Sequence, residues 1–340
     1  MTDDLTDVMD AVGYDRNLPI DDPRSLLDIR VPRPELRPHD LLVEVRAVSV
    51  NPVDVKQRAS AQPGAGPRVL GFDAAGVVVE VGPEVTLFRP GDEVFYAGQI
   101  DRPGTDSALH AVDERIVGRK PTSLDFADAA ALPLTSLTAW EGLFDKLGLT
   151  DASTGTLLVV GGAGGVGSMV IQLARAIAPR VRVVATASRG ESESWVRGLG
   201  AHDVVDHHGD LVGQTKAIEP AGIRWIFSTH SHGQLEAFVD LLRPFGQVVA
   251  IDDPSELDVV PLKSKALSWH WEFMFARSLH QAPDMVEQHR ILGRVADLVD
   301  EGRVRTTRTT TLNPIDAEQL REAHRLVETG GTIGKVVVAV

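Results

Sequence analysis

The 340-residue chain contains no cysteine. Disulfides, thiolate zinc sites, iron–sulfur clusters and cysteine nucleophiles are excluded together. Positive charge is also scarce, with 34 Lys and Arg against 48 Asp and Glu, a net charge of -14. Such a surface repels phosphate backbones and anionic lipids, so neither a nucleic acid nor a membrane is expected as a partner. No apolar run approaches the ~18–20 residues that cross a bilayer. The opening MTDDLTDVMD is acidic where a secretory signal would be basic and then apolar, so the expected location is the cytoplasm.

What is present is ordinary for a globular protein: 43% hydrophobic and 24% charged residues. At roughly 150 residues per domain, the length predicts about two domains, each able to bury a core. Up to about Leu132 the pattern is short β-type runs broken by Pro and Gly. Leu26 to Val31, Leu41 to Val50, Gly76 to Val81 and Asp92 to Tyr96 are examples, and together they suggest a β-rich, partly open barrel. The stretch SLDFADAAALPLTSLTAWEGLFDKLGL then has helical spacing, with Ser123 or Asp125 as cap and Pro133 dividing it in two.

From TLLVVGG onward strands and amphipathic helices alternate: GVGSMVIQLARAIA, VRVVATAS, ESESWVRGLG, DVVDH, IRWIFST, HGQLEAFVDLLRP and GQVVAID. This grammar predicts an α/β fold with a parallel sheet covered on both faces. The last segment holds two amphipathic helices, DMVEQHRILGRVADLVDEG and DAEQLREAHRLVETG, around the extended TTRTTTL, and closes on the strand GKVVVAV. The pattern predicts that the chain returns to complete the first domain. The expected division is 1–133 and 278–340 for the β-rich domain, and 134–277 for the α/β domain.

Gly162-Ala163-Gly164-Gly165-Val166-Gly167 follows a buried strand and opens a helix, the context in which G-x-G-x-x-G binds a dinucleotide. The first glycine allows the tight turn, the second lets backbone approach the pyrophosphate, and the third lets helix and strand pack closely. The helix N-terminus then holds the phosphates. An NAD-preferring site places Asp or Glu at the end of the next strand, but this chain has Ala187-Ser188-Arg189. Arg189 can pair with a 2′-phosphate, so NADPH is the expected cofactor, although a surface Arg beside a turn is also common. His207 and His208 follow the third strand. They either touch that phosphate or are solvated loop residues.

SVNPVDVKQR, VLGFDAAGVVVEVG, RPGDEVFYAG, LPLTSLTAWEGL and GGAGGVGSMVIQLAR occur in the order found in medium-chain dehydrogenases/reductases. The chain resembles most closely the zeta-crystallin-type NADPH:quinone oxidoreductases and the bacterial "zinc-type alcohol dehydrogenase-like" group. VDERIVGRKP, WEFMFARS and PDMVEQHRIL look like that group too. The resemblance covers essentially the whole chain. It implies a GroES-like catalytic domain interrupted by a doubly wound Rossmann domain, an active site in the cleft between them, and homodimers or homotetramers, often through edge-to-edge pairing of Rossmann sheets. It also extends the expected cofactor contacts to Asn51, Thr138, Ile251 and Lys335.

In zinc-dependent relatives the metal is held by a Cys in the loop matching Ser49–Asp54 and by a His-Glu pair matching Phe72-Asp73. Here those positions hold Asn51, Phe72 and Asp73, and the cysteine-rich structural lobe is missing. Asp73 alone does not make a tetrahedral site, and His230-x-His232 lacks an obvious third ligand, so no metal is expected.

Without a metal, alcohol oxidation is hard, whereas hydride transfer to a quinone or an α,β-unsaturated carbonyl remains feasible because these acceptors delocalise the charge they receive. Asn51 is the residue expected beside the nicotinamide, either as an amide donor to the developing oxyanion or as a backbone cap before Pro52. Asp54 is expected to hold the loop rather than act as an acid. Tyr96 is expected to face the cleft, as a phenol donor to substrate or as packing, with no built-in partner. Tyr14 and Tyr96 are the only tyrosines, and neither begins Y-x-x-x-K, since Leu18 and Ile100 occupy the lysine positions; this eliminates the short-chain reductase mechanism.

Phe72, Trp271 and Phe273 are expected to line the substrate pocket. The aromatic stretch Trp269–Phe275 serves equally well as pocket wall or as dimer interface. Relatives often carry an aromatic G-x-[FY]-A-E-[FY]-like run after Tyr96. This chain has Gly104–His110 instead, which alters the pocket rim. Two other functions compete with a zinc-free quinone or enone reductase: an NADPH-binding structural or regulatory protein, and a metal-dependent alcohol dehydrogenase.

Overall fold

The computed structural model describes residues 8–64 and 66–340, so most of the acidic opening lies outside the described residues. In chain order the first elements are β1 (Val8–Tyr14), β2 (Leu27–Pro32), β3 (Asp40–Val50), α1 (Pro52–Ser60), β4 (Arg68–Val69), β5 (Asp73–Val81), β6 (Glu93–Tyr96), β7 (Leu109–Asp113), β8 (Val117–Arg119), α2 (Phe126–Ala130) and α3 (Pro133–Trp140). Then come β9 (Gly155–Val160), α4 (Gly165–Ile177), β10 (Val181–Thr186), α5 (Gly190–Gly198), β11 (Asp203–Val205), α6 (Leu211–Ile218), β12 (Ile223–Ser228), α7 (Leu235–Leu241), β13 (Leu242–Ala250) and β14 (Ser268–Trp271). The chain ends with α8 (Ala276–Leu279), α9 (Glu287–Asp300), β15 (Arg308–Leu312), α10 (Ala317–Glu328) and β16 (Lys335–Ala339). Among the described residues no helix is long and apolar enough to cross a membrane.

The chain divides into two units, Met1–Leu134 with Phe275–Val340, and Thr135–Met274. The first is GroES-like and built on a seven-stranded sheet in the order β15-β16-β3-β5-β6-β8, with β7 also on β3. A small sheet, β2-β1-β4, accompanies it. β3 is the hub, eleven residues long and buried along almost its whole length, because it is flanked by β5, β7 and β16. Its core holds Val43, Val48, Val78, Tyr96, Val112 and Leu320 among others. The returning C-terminal strand therefore pairs with the hub, Val336 opposite Val50 and Val338 opposite Val48.

The second unit is a six-stranded parallel sheet in the order β11-β10-β9-β12-β13-β14. β9, the first strand of this unit in sequence, is central, and successive strands are added first on one side of it (β10, β11) and then on the other (β12, β13, β14). That is the doubly wound order whose switch point binds a dinucleotide. α4 is buried all round over Gly167–Ala174, with Met169, Val170, Ile171, Leu173 and Ala174 as its apolar contribution.

Several local details differ from the sequence expectation. The helical stretch does divide at Pro133, but after α3 it continues as a π-helical turn over Glu141–Lys146. Asp125 caps α2 through the Asp128 N–H, while Ser123 bonds to Asp300 instead. α1, α6 and β1 were not anticipated. GQVVAID is not the last strand of the sheet, because Ser268–Trp271 adds β14 at its edge, with Val249 opposite His270.

Candidate functional site

The nucleotide turn of the second unit begins one residue earlier than G-x-G-x-x-G suggests. Gly161 has φ 76°, and a methyl group there would meet the Thr229 hydroxyl oxygen at 2.1 Å. Its N–H donates to Thr186 Oγ1 at 2.9 Å, and Thr229 Oγ1 donates to the Val160 carbonyl. Two of the following glycines are also required by the chain itself. A methyl on Gly162 would lie 2.9 Å from the Ala185 side chain, and one on Gly167 would lie 2.2 Å from the Gly161 carbonyl oxygen.

Gly164 is different. A methyl there would meet nothing of the chain nearer than the Gly161 carbonyl oxygen at 3.6 Å. Gly164 is the N-cap of α4 and brings no side chain to close the first turn, leaving the first N–H groups of α4, from Gly165, Val166 and Gly167, for a ligand. A space beside backbone donors, at the positive end of a buried thirteen-residue helix, fits a pyrophosphate. These residues thus fit a nicotinamide dinucleotide.

The neighbouring residues collect at the C-terminal ends of the parallel strands. Thr186 pairs with Val205, and the Ala187 N–H donates to the Val205 carbonyl. This sets Ser188 and Arg189, two and three residues beyond one pair member, alongside His207 beyond the other. Arg189 is exposed and N-caps α5, its N–H bonding to Ser192 Oγ at 3.1 Å. His207 is exposed, its ring centroid 4.2 Å from that of His208. Burial and the adjacent His208 hold its pKa below the ordinary value. Ile251 follows β13 and donates its N–H to the Ser228 carbonyl, and Thr138 is buried on α3. Trp271 and Phe273 are about half exposed, at 49% and 47%.

The first unit holds a closed polar cluster. Asn51 N-caps α1, Pro52 takes the first helical position, and Asp54 Oδ2 accepts the Asn51 N–H at 2.7 Å. The Asn51 amide is fully engaged: Nδ2 donates to the Ser49 carbonyl at 3.2 Å and to Asp73 Oδ2 at 2.9 Å, and Oδ1 accepts from Lys335 Nζ. Lys335 also donates to the Val50 carbonyl at 2.9 Å and to Asp73 Oδ2 at 3.2 Å. Asp73 Oδ1 accepts the Leu134 N–H at 2.7 Å. Asn51, Asp73 and Lys335 are all buried.

This geometry bears on three expectations, and for Asn51 and Tyr96 it matches the structural alternative. Lys335 directs its ammonium to Val50, Asn51 and Asp73 rather than outward to a cofactor. Asn51 holds the turn, and both of its amide donors already have acceptors inside the unit. Tyr96 is fully buried in the core of the first unit, and its phenol, for which no partner was expected, has one in His110 Nδ1 at 3.1 Å. His110 Nε2 lies 3.1 Å from the Pro103 carbonyl, which can only accept, so Nε2 carries the hydrogen and Nδ1 receives the phenol's. Burial pushes Tyr96 up and His110 down to about 4, which keeps both neutral. Phe72 is buried against Phe275, with ring centroids 4.9 Å apart. Sequence reasoning missed Asp73 as the hub and His110 as the partner of Tyr96. The motif N-P-x-D was the available signal for the capped turn.

The donor set does not fit zinc. Asp73 has N–H donors on both oxygens, the chain has no thiol, and among the described residues no three of His, Asp or Glu converge.

Comparison with known proteins agrees with both units. A family profile described as an alcohol dehydrogenase GroES-like domain matches residues 37–119, and one described as a zinc-binding dehydrogenase matches residues 199–338. A putative zinc-dependent alcohol dehydrogenase protein from Rhizobium etli CFN 42 has 53% sequence identity and a TM-score of 0.95, with 98% of each chain covered. A zinc-type alcohol dehydrogenase-like protein of Staphylococcus epidermidis is 37% identical over 97% of this chain and 99% of its own. The 2-methylene-furan-3-one reductase of Solanum lycopersicum is 32% identical over 92% of this chain and 74% of its own. Fold, nucleotide turn and relatives agree that this chain belongs to the medium-chain dehydrogenase/reductase superfamily of nicotinamide-dependent oxidoreductases.

Proposed function

We propose that the protein is an NADPH-dependent, zinc-independent reductase of quinones or α,β-unsaturated carbonyls. The observation that carries this is the closed Asn51–Asp73–Lys335 cluster, whose side-chain oxygens and nitrogens all have partners within the first unit. A reductase without a Lewis acid needs an acceptor that stabilises the incoming charge itself, and quinones and enones do so by delocalisation. The similarity to a reductase named for an enone substrate supports the same class.

The hydride is supplied by the reduced nicotinamide when bound. Gly164 and the N-terminus of α4 hold the pyrophosphate, and Gly162 and Gly167 fix the turn that presents them. Ser188, Arg189 and His207 read the adenosine ribose, Arg189 as cation for a 2′-phosphate. Thr138 and Ile251 complete the cofactor contacts, and the half-exposed Trp271 and Phe273 supply flat apolar surface for a flat acceptor. The working form is a homodimer or homotetramer in the cytoplasm.

The test is oxidation of NADPH and of NADH by chelator-treated protein with quinones, short enones and simple aldehydes. Turnover with quinones or enones, selective for NADPH, is expected. Arg189→Ala should raise KM for NADPH by about 10-fold or more while leaving NADH nearly unchanged, the loss of one charge-assisted contact. Tight NADPH binding with no turnover on any acceptor would favour a regulatory or structural protein instead. Activity only with added zinc would return the protein to the metal-dependent class.

A further inference from the structure

The Lys335 side chain ends among three oxygens from separate segments: the Val50 carbonyl at the end of β3, Asn51 Oδ1 at the cap of α1, and Asp73 Oδ2 at the start of β5. Two of the three are a peptide and an amide oxygen, neutral atoms that can only accept. Satisfying all three takes three N–H bonds, which an ammonium has and a neutral amine lacks. Asp73 in turn meets only donors, from Leu134, Asn51 and Lys335, so it is the carboxylate. Burial pushes the Asp73 carboxyl up and the Lys335 ammonium down, and their mutual attraction opposes both shifts.

Remove the ammonium in thought, and a carboxylate, an amide oxygen and a peptide oxygen face one another in a buried space with no cation between them. An all-oxygen shell with one carboxylate suits an ammonium or a hard cation better than zinc, whose sites add nitrogen or sulfur donors to any carboxylate. We propose that Lys335 is the resident cation of this site: its ammonium neutralises Asp73, ties the Asn51 turn to β16, and fills the position a cation would otherwise take. This deepens the zinc-free reading above, and the tests below use readouts other than turnover.

The experiment uses the full chain expressed with added zinc, and its Lys335→Ala variant. The purified wild type should carry below about 0.1 zinc per chain, and neither zinc nor chelator should move its thermal midpoint. Lys335→Ala should lose about 6–10 °C, the scale of an uncompensated buried charge. Propylammonium at roughly 100 mM should restore a substantial part of that loss by returning an N–H cation to the vacated space, whereas tetramethylammonium, which has no N–H, should not.

Should Lys335→Ala fail to fold, Asp73→Asn and the double Asp73→Asn/Lys335→Met carry the test. The double variant should fall below Asp73→Asn by no more than the neutral hydrogen bonds to Val50 and Asn51 that methionine gives up, because neutralising the carboxylate removes the need for its counter-ion. Additive losses, a Lys335→Ala protein as stable as wild type, or stoichiometric stabilising zinc in the wild type would each overturn the assignment. A protein that shows these stability shifts yet reduces no quinone or enone leaves Lys335 as the resident cation and refutes only the acceptor.

Discussion

Tyr96 and His110 stack within the first unit, ring centroids 5.5 Å apart and planes 12° from parallel, and the phenol gives its hydrogen to Nδ1 of the imidazole. β6 and β7 carry them, each with a neutral polar group that would otherwise be buried without a partner. The pair is therefore part of the core. Tyr96→Phe should turn over within about 3-fold of the wild-type rate while losing about 1 kcal/mol of stability, since His110 Nδ1 is left without its donor. Steady-state kinetics beside a urea titration separates the two effects. A turnover slowed by about 100-fold or more, the scale of a lost proton donor, would mean that the phenol reaches the substrate.

The glycines of the nucleotide turn split the same way, between what the chain needs and what a ligand needs. Gly167→Ala places a methyl 2.2 Å from the Gly161 carbonyl oxygen and should destabilise the second unit by several kcal/mol, on the order of other overpacked core positions. Gly164→Ala meets no such obstacle. It should melt within about 2 °C of wild type and bind NADPH about 10–100-fold more weakly, as the methyl occupies the approach to the helix N-terminus. Calorimetric melting and a fluorescence titration of the cofactor check this. Unchanged binding in Gly164→Ala would remove this turn from the pyrophosphate site.

How much of this was legible in the sequence depends on how local the information is. The glycine turn and each strand–helix step are local in the chain, and their alternation points directly to the parallel sheet and the α/β class. α1 was missed because PVDVKQRAS has little apolar periodicity; its start is fixed instead by a capping box, Asn51 with Asp54, and by Pro52. β14 was missed because two of its four residues are Trp, and aromatic composition hid the strand alternation. Lys335 and Asp73 lie 262 positions apart, and no spacing rule joins them. The same holds for Tyr96 and His110, whose pairing depends on β6 and β7 lying on either side of the β3–β5 pair.

His324 on α10 is fully buried, and neither ring nitrogen has a hydrogen-bond partner among the described residues. Burial, with Arg58 adding repulsion, pushes its pKa down to about 3. The unfolded ring titrates near 6.5, so the stability tied to its neutral form is complete above that pH and is lost as pH falls from 6.5 toward 3. At pH 4 the loss is on the order of 3 kcal/mol. His324→Leu, of similar size and without polar atoms, should be at least as stable as wild type at pH 7 and show a shallower decline between pH 6.5 and 4. Thermal midpoints across that range test it, and parallel declines would exclude His324 as a source of acid lability.

Asp54 carries the opposite sign. Burial pushes its carboxyl up to about 7, against the backbone N–H of Asn51 that favours the charged form. A raised folded pKa means stability that is present below the unfolded value near 4 and is lost as pH rises through about 7. Asp54→Asn keeps an oxygen for the Asn51 N–H and removes the titration. The midpoint of the variant minus that of wild type should therefore increase from pH 5 to pH 8, by a few degrees. A difference that is flat with pH would show that Asp54 keeps its charge throughout.

Phe245, in the bulged start of β13, has φ 64° and is 78% exposed. A non-glycine residue in the left-handed region costs about 1–2 kcal/mol, and an exposed ring returns little of that by burial. Glycine removes the strain but adds about 0.5–1 kcal/mol of unfolded-state entropy. The strain is the larger quantity, so Phe245→Gly should raise stability by about 0.5–1 kcal/mol, and Phe245→Asn, which tolerates this conformation without the entropy of glycine, should do at least as well. Urea midpoints of dilute protein measure both. If both variants lost stability, the ring would have to be covered in solution, and repeating the titration across a range of protein concentrations would show whether a second copy covers it.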